Sequence, residues 1–281
     1  MLDSPPSWAA ARLAYALDTS RDQQRAALGL YLPVGYPTRE LSLDALHLMA
    51  QSADILELGI PHQSPMDGPV IQRAATQALE SGFRMDDVFA AATELTASTT
   101  VALTAMSYWD PIREYGPVAF ARRFAAAGGG AVLVPDLPDA DAWSWQRTAH
   151  QEGLYTIALV PAHASAQHLA ALGTQTSGMV YAPATAGRTG TRRPLSRHLP
   201  RLVDRLRTAT GLPVAVGIGL TTPARAAKAS AYADVVVVGT AVIRCMQTQP
   251  HRPALAAADA SRDFAAAIRH ARQPATPHAA V

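Results

Sequence analysis

Short apolar runs rich in β-branched residues alternate along this chain with alanine-rich stretches of helical spacing. The alternation predicts repeated strand–helix units and a parallel sheet. Eight strands are predicted, with ends placed to within about three residues: Ala27–Val34, Asp54–Leu58, Thr100–Met106, Ala131–Val134, Tyr155–Leu159, Met179–Tyr181, Val214–Gly217 and Asp234–Val238. The helices predicted between them include Leu41–Gln51, Asp86–Ala97, Val118–Ala127, Ala140–Gln151, Leu199–Thr208 and Pro223–Ala229.

Eight such units in 281 residues favour an α/β fold of the (β/α)8 TIM-barrel type. An open, doubly wound sheet would instead carry a glycine-rich turn after the first strand, and Pro33-Val34-Gly35-Tyr36-Pro37 is not such a turn. Two predicted helices lie outside the eight units: Trp8–Leu17, which would close the bottom of the barrel, and Pro253–Arg272. We expect one barrel domain over residues 1–272 and a disordered tail over 273–281.

The composition argues against several classes of function. A net charge of +2 gives no case for nucleic acid despite a pI of 8.9, and the arginines from Arg188 to Arg207 are interpreted as a solvated loop and helix face. The single cysteine, Cys245, excludes an intrachain disulfide. No apolar run approaches the roughly 18 residues of a membrane span, and the N-terminus lacks a signal-peptide layout. We expect a soluble, cytoplasmic protein.

Two carboxylates follow the second predicted strand, and active sites of this fold lie at such strand ends. Glu57 alternates with Leu56 and Leu58, so it would point into the barrel, where burial raises the pKa of a carboxyl group and suits it to general acid–base work. Asp67 follows one short loop later. The structural alternatives are an ion pair at the barrel rim for Glu57 and an N-cap of a helix starting near Pro69 for Asp67.

The last strand ends predict a phosphate site. Glycines in the loops after strands seven and eight let backbone N–H groups approach a phosphate closely, and a helix beginning near Thr240 would add its positive end. With Gly190 from the loop after strand six, the residues of this set are Gly190, Gly217, Gly219, Gly239 and Thr240.

The residues also exclude some chemistry. Lys228 is the only lysine and falls in a predicted helix, which argues against a Schiff-base aldolase. Neither His62 nor His163 has a partner at metal-ligand spacing, so we expect no metal and no other cofactor. If a carbon–carbon bond is broken here, proton transfer must break it.

From about Leu28 to Cys245 the chain resembles the tryptophan synthase alpha chain family. Its two hallmark segments are matched by Leu56-Glu57-Leu58-Gly59-Ile60-Pro61 and by Asp67-Gly68-Pro69-Val70-Ile71-Gln72. Other segments agree in order: Gly35-Tyr36-Pro37, Met106-Ser107-Tyr108-Trp109-Asp110-Pro111, Val134-Pro135-Asp136-Leu137-Pro138, Gly187-Arg188-Thr189-Gly190 and Gly217-Ile218-Gly219.

The resemblance implies a lyase of tryptophan biosynthesis that cleaves indole-3-glycerol phosphate to indole and glyceraldehyde 3-phosphate. Glu57 would protonate the indole C3 carbon and help to deprotonate the glycerol hydroxyl, and Asp67 would hold the indole N–H. Tyr181 and Tyr108 would line the site near Glu57. The other implied contacts are the indole-pocket walls Tyr31, Ile71 and Met106, the closing residue Thr189, and the phosphate ligands Gly190, Gly219, Gly239 and Thr240.

The resemblance also implies a tryptophan synthase beta chain as partner, and the chain departs from the family in the loops that communicate with it. The loop His62–Met66 is one residue shorter, and Ser64 stands where the family carries an acidic residue. Pro33, Thr185 and Arg188 are further departures. The altered loop slightly favours a stand-alone lyase over a synthase subunit. A non-catalytic binding partner and another phosphate-sugar barrel enzyme remain as alternatives.

Overall fold

The computed structural model describes residues 7–161, 164–185 and 194–271. Its eight parallel strands close into a barrel in the order β1 to β8. Their bounds are β1 Ala27–Pro33, β2 Ile55–Gly59, β3 Ala102–Met106, β4 Ala131–Leu133, β5 Tyr155–Leu159, β6 Met179–Pro183, β7 Val214–Gly217 and β8 Val235–Val238. Each predicted strand is present, and the α/β barrel is confirmed.

The helices of the described ranges cover the outside of the barrel or close its ends. They are α1 Trp8–Asp22, α2 Arg39–Ala50, α3 Pro69–Glu80, α4 Met85–Ser98, α5 Trp109–Tyr115, α6 Pro117–Ala126, α7 Asp139–Gln151, α8 Ala166–Gln175, α9 Leu199–Thr210, α10 Pro223–Ser230, α11 Thr240–Thr248 and α12 Pro253–His270. The predicted tail 273–281 lies outside the described residues. No helix in the described part of the chain is both long and apolar enough to span a membrane.

Two apolar clusters hold the barrel together. The outer cluster packs strands against helices and includes Leu56 and Leu58, both fully buried. The inner cluster fills the barrel and includes Ile55 of β2, which alternates with them in the expected way.

Helix α1 closes the bottom of the barrel, as the sequence predicts. Its Ala10, Leu13 and Leu17 belong to the same cluster as the inward-facing residues of the strands. A methyl group added at Gly130, just before β4, would lie 2.7 Å from the carbonyl oxygen of Ala9. The first helix therefore packs directly onto the chain entering the barrel, and this end of the barrel is filled rather than open.

Helix α5 is not among the helices named from the sequence pattern. It begins at Trp109, directly after β3. The Trp109 N–H donates to the Asp136 carboxylate at 2.8 Å, which satisfies an N–H at the start of the helix. A partner 27 residues away therefore stabilises this start, and local periodicity does not report such a contact.

Candidate active site

A cavity opens at the C-terminal ends of the strands, enclosed mainly by apolar side chains. It is lined by Tyr31, Glu57, Met66, Asp67, Ile71, Met106, Tyr108, Leu133, Pro135, Leu159, Tyr181, Ile218, Gly219, Leu220, Thr221, Val237, Gly239 and Thr240. This set contains ten of the proposed site residues: Tyr31, Glu57, Asp67, Ile71, Met106, Tyr108, Tyr181, Gly219, Gly239 and Thr240. The long connections of the barrel thus bring together residues that are more than 200 positions apart in sequence.

Glu57 lies on the inner face of the barrel wall. In the strand register it stands beside Tyr31 of β1 and Thr104 of β3, and the residue is 7% exposed. Burial raises its pKa from the ordinary value of 4.5 to about 7. Among the described residues it makes no ion pair, so the alternative of a rim salt bridge does not hold there. At neutral pH the group is poised both to give and to accept a proton.

Asp67 also lines the cavity and lies in the loop between β2 and α3. Helix α3 is capped by Gly68, so Asp67 does not act as the N-cap of that helix. Burial raises the pKa of Asp67 to about 6, while a hydrogen bond from Tyr108 and the nearby His62 act in the opposite direction. The Asp67 carboxylate is therefore the group of the pair that ionises first as the pH rises.

Two tyrosines pack beside Glu57. Burial and then the negative charge of Glu57 raise the pKa of Tyr181, so its hydroxyl stays protonated. For Tyr31 the causes are burial first, then the charges of Asp67 and Glu57. Both hydroxyls therefore remain available as hydrogen-bond donors in the cavity.

Gly217 has a different position from the rest of the predicted phosphate set. It does not line the cavity, and a β-carbon at this residue would overlap the Tyr181 hydroxyl. Its lack of a side chain leaves room for the Tyr181 ring. Gly219 lines the cavity itself and has a φ of +100°, a conformation that glycine adopts without strain.

Helix α11 starts at the cavity, because its N-cap Gly239 and its first residue Thr240 both line the cavity. Among the residues that the structure describes, no side chain caps the first N–H groups of this helix. Ile218 has a φ of +55°, which is rare for a β-branched residue and indicates backbone strain at the cavity wall. An anion at this helix start would meet unsatisfied N–H groups and the positive end of the helix.

Several cavity residues were not anticipated from the sequence. The alternation of inward-facing and outward-facing residues along a strand could have predicted Leu133, Leu159 and Val237. Ile218 and Thr221 lie in turns, where no such alternation exists. Trp109 does not line the cavity; it packs against Trp145 and donates its indole N–H to Asp141. Thr189 and Gly190 lie outside the described residues, as do Arg188 and His163.

Comparison with known proteins shows the family of the chain. The family model of the tryptophan synthase alpha chain matches residues 17–271. The chain belongs to the tryptophan synthase alpha chain family. An alpha chain of Mycobacterium avium (strain 104) is 41% identical over 239 residues, which are 84% of this chain and 88% of that one.

Solved structures of family members share the fold. A structure of Mycobacterium tuberculosis tryptophan synthase is 37% identical with a TM-score of 0.85, covering 92% of this chain and 98% of that chain. An alpha chain of Legionella pneumophila subsp. pneumophila is 29% identical with a TM-score of 0.82, covering 92% and 97%.

Proposed function

We propose that this protein is the lyase of the family and cleaves indole-3-glycerol phosphate to indole and glyceraldehyde 3-phosphate. The observation that carries the proposal is the pair of buried carboxylates, Glu57 and Asp67, on the wall of one largely apolar cavity. Their pKa values of about 7 and about 6 leave one protonated and the other ionised over a shared range of pH. A retro-aldol cleavage by proton transfer needs that combination.

Glu57 begins the reaction as an acid. Its proton passes to the indole C3 carbon, and the ring becomes a cation whose N–H is held by the Asp67 carboxylate. The Glu57 carboxylate then takes the proton of the hydroxyl on the side-chain carbon attached to C3. The bond between that carbon and C3 breaks, its electron pair returns to the ring, and an aldehyde forms. Indole leaves, and Glu57 is again protonated.

The rest of the cavity binds and orients the substrate. Tyr31, Ile71 and Met106 enclose the indole ring. The hydroxyls of Tyr181 and Tyr108 line the polar end of the cavity near the carboxylates. The phosphate occupies the start of α11, on the backbone of Gly219, Gly239 and Thr240. From the family we add Gly190 to the phosphate site and Thr189 as the residue that closes against Asp67.

The protein acts in tryptophan biosynthesis, in the cytoplasm, with a tryptophan synthase beta chain as partner. The support for this partner is the relationship to the Mycobacterium tuberculosis tryptophan synthase structures. Met66, 43% exposed beside the cavity, offers an apolar contact close to the site.

The test is indole release from indole-3-glycerol phosphate by the purified protein, with and without a tryptophan synthase beta chain. We expect turnover that Glu57→Gln abolishes and that Glu80→Gln, an exposed control on α3, leaves unchanged. Stimulation by the beta chain would support the synthase subunit, and full activity without it would support a stand-alone lyase. Binding of substrate without turnover under both conditions would refute the proposed function.

A further inference from the structure

The turn between β7 and α10 forms part of the cavity wall, and its backbone is strained. Four consecutive residues of this turn line the cavity: Ile218, Gly219, Leu220 and Thr221. Ile218 and Gly219 have φ angles of +55° and +100°. The first angle is unfavourable for a β-branched residue, so this conformation persists only where the surrounding structure holds it. Two side chains from neighbouring elements make the contacts that hold it.

Thr185, just after β6, contacts the first half of the turn. Its hydroxyl donates to the carbonyl oxygen of Ile218 at 3.3 Å, and the residue is only 2% exposed. A β-carbon at Gly219 would lie 2.5 Å from the same hydroxyl oxygen. The threonine therefore packs directly against the turn and fixes the peptide unit between Ile218 and Gly219.

Arg225, in the first turn of α10, contacts the second half. Its Nη1 donates to the carbonyl oxygen of Gly219 at 3.2 Å and to the hydroxyl oxygen of Thr221 at 3.2 Å. The same carbonyl oxygen accepts from the Thr221 N–H at 3.0 Å. The guanidinium therefore fixes the peptide unit between Gly219 and Leu220.

The two anchored carbonyls determine the direction of two N–H groups. In a trans peptide unit the C=O and the N–H that follows it point in opposite directions, and both of these units are trans. The N–H of Gly219 therefore points away from Thr185, and the N–H of Leu220 points away from Arg225. Among the residues that the structure describes, neither N–H has a hydrogen-bond acceptor.

We propose that Thr185 and Arg225 are positioning residues that present the N–H groups of Gly219 and Leu220 to the phosphate group of the substrate. They act through the carbonyls of the same peptide units and do not need to touch the phosphate. The Leu220 N–H thereby joins the backbone donors of the phosphate site. The inference rests on the proposed function, because that proposal places a phosphate ester in this cavity.

Anchoring matters because it orders the donors before the ligand arrives. Backbone N–H groups that are already held in place bind an anion without the entropic cost of ordering a loop. Without one of the anchors, the strained turn can relax to other backbone conformations, and the two N–H groups lose their direction. The loss concerns only the part of the ligand that the turn binds, so the indole end of the cavity keeps its affinity.

The experiment compares the dissociation constants of indole-3-propanol phosphate and of indole-3-propanol, which differ only in the phosphate group. Thr185→Val removes the hydroxyl at nearly constant volume, and Arg225→Met removes the guanidinium but keeps an apolar stem. We expect each change to weaken binding of the phosphate ester by about 3- to 10-fold, as for the loss of a hydrogen bond, with the affinity for the alcohol unchanged. Thr185→Ser and Arg225→Lys retain a donor, so they should bind the ester within about 2-fold of the wild type.

Two control variants match these changes. Lys228→Met removes a positive charge from an exposed position of the same helix, and Thr248→Val removes an exposed hydroxyl at the end of α11. Both should bind the ester as the wild type does. If Lys228→Met weakens ester binding as much as Arg225→Met does, the arginine acts through its charge rather than through the Gly219 carbonyl, and the proposal is overturned.

The ratio of the ester and alcohol affinities decides the outcome. A ratio equal to that of the wild type in Thr185→Val or in Arg225→Met would refute the proposal, whether both affinities are retained or both are lost. If Arg225→Met does not fold, Thr185→Val decides, because it removes the neighbouring anchor while nearly preserving the shape of the side chain.

Turnover gives a second readout that separates this inference from the proposed function. In the assay of indole release, Thr185→Val and Arg225→Met should raise KM for indole-3-glycerol phosphate by about 3- to 10-fold and leave kcat within about 2-fold of the wild type. The reason is that the two carboxylates are unchanged, so only binding is lost. If the wild type does not turn over, the proposed function fails, and the binding measurements still decide the roles of Thr185 and Arg225.

Discussion

Replacing Glu57 by Gln is expected to stabilise the protein at alkaline pH while it abolishes catalysis. Burial raises the pKa of this carboxyl from 4.5 to about 7, so the folded protein binds its proton more tightly than the unfolded chain does. Stability is therefore lost as the pH rises from about 4.5 to about 7. The shift corresponds to a penalty of about 3 kcal/mol at pH 8 and of about 1 kcal/mol at pH 5.

Glutamine has nearly the same shape as glutamic acid and carries no ionisable proton. The substitution therefore removes the contribution of residue 57 to the pH dependence of the free energy of unfolding. The free energies of unfolding of the wild type and of Glu57→Gln are measured by urea denaturation at pH 5 and at pH 8. The variant is expected to gain about 2 kcal/mol relative to the wild type between the two pH values. Any cost of burying the amide is the same at both and cancels.

Glu80→Gln serves as the control, because this residue ends α3 at an exposed position. Its difference from the wild type is expected to be the same at both pH values. If the difference between Glu57→Gln and the wild type is also independent of pH, or if the wild type gains stability relative to the variant as the pH rises, Glu57 does not have a raised pKa. Glu57 would then not be a proton donor at neutral pH.

Three further outcomes are expected. The rate of indole release should be greatest between about pH 6 and about pH 7, because Asp67 must be ionised while Glu57 still holds its proton. A rate that rises steadily to pH 9 would contradict this assignment. Gly217→Ala should lower kcat/KM by about 100-fold, because the added β-carbon displaces the Tyr181 ring. The circular dichroism spectrum should stay that of the folded wild type, and an unchanged kcat/KM would show that the position of the ring is unimportant. Leu13→Ala should lower the free energy of unfolding by about 2–5 kcal/mol in urea while kcat stays unchanged, because this side chain fills the end of the barrel opposite the cavity.

The sequence by itself determined the barrel architecture and the pair of carboxylates, Glu57 and Asp67, that line the cavity. Alternation within β2 sends Leu56 and Leu58 outward and Glu57 inward, because successive side chains on a strand point to opposite faces. The order of the strand–helix units then determines which strand ends share a face, since parallel strands joined by helices all end on the same side. These properties depend on local patterns, which a single chain displays directly.

Only the tertiary structure decided what surrounds that pair. Asp67 was open to interpretation as a helix cap, and the surroundings of Trp109 were not predicted from the sequence. The cap of α3 is Gly68, and Trp109 packs on Trp145. Local patterns do not show such contacts, because their partners come from loops far apart in sequence or from backbone geometry that forms only when the barrel closes.

The tertiary structure likewise decided the surroundings of the loop that carries Asp67. The Tyr108 ring, which follows β3, packs on His62 of the loop after β2 with 5.5 Å between ring centroids. The contact arises because neighbouring parallel strands deliver both loops to the same rim of the barrel. Folding places Tyr108 and the Asp67 carboxylate on one cavity wall, and the electrostatics of the cavity are a property of that assembly.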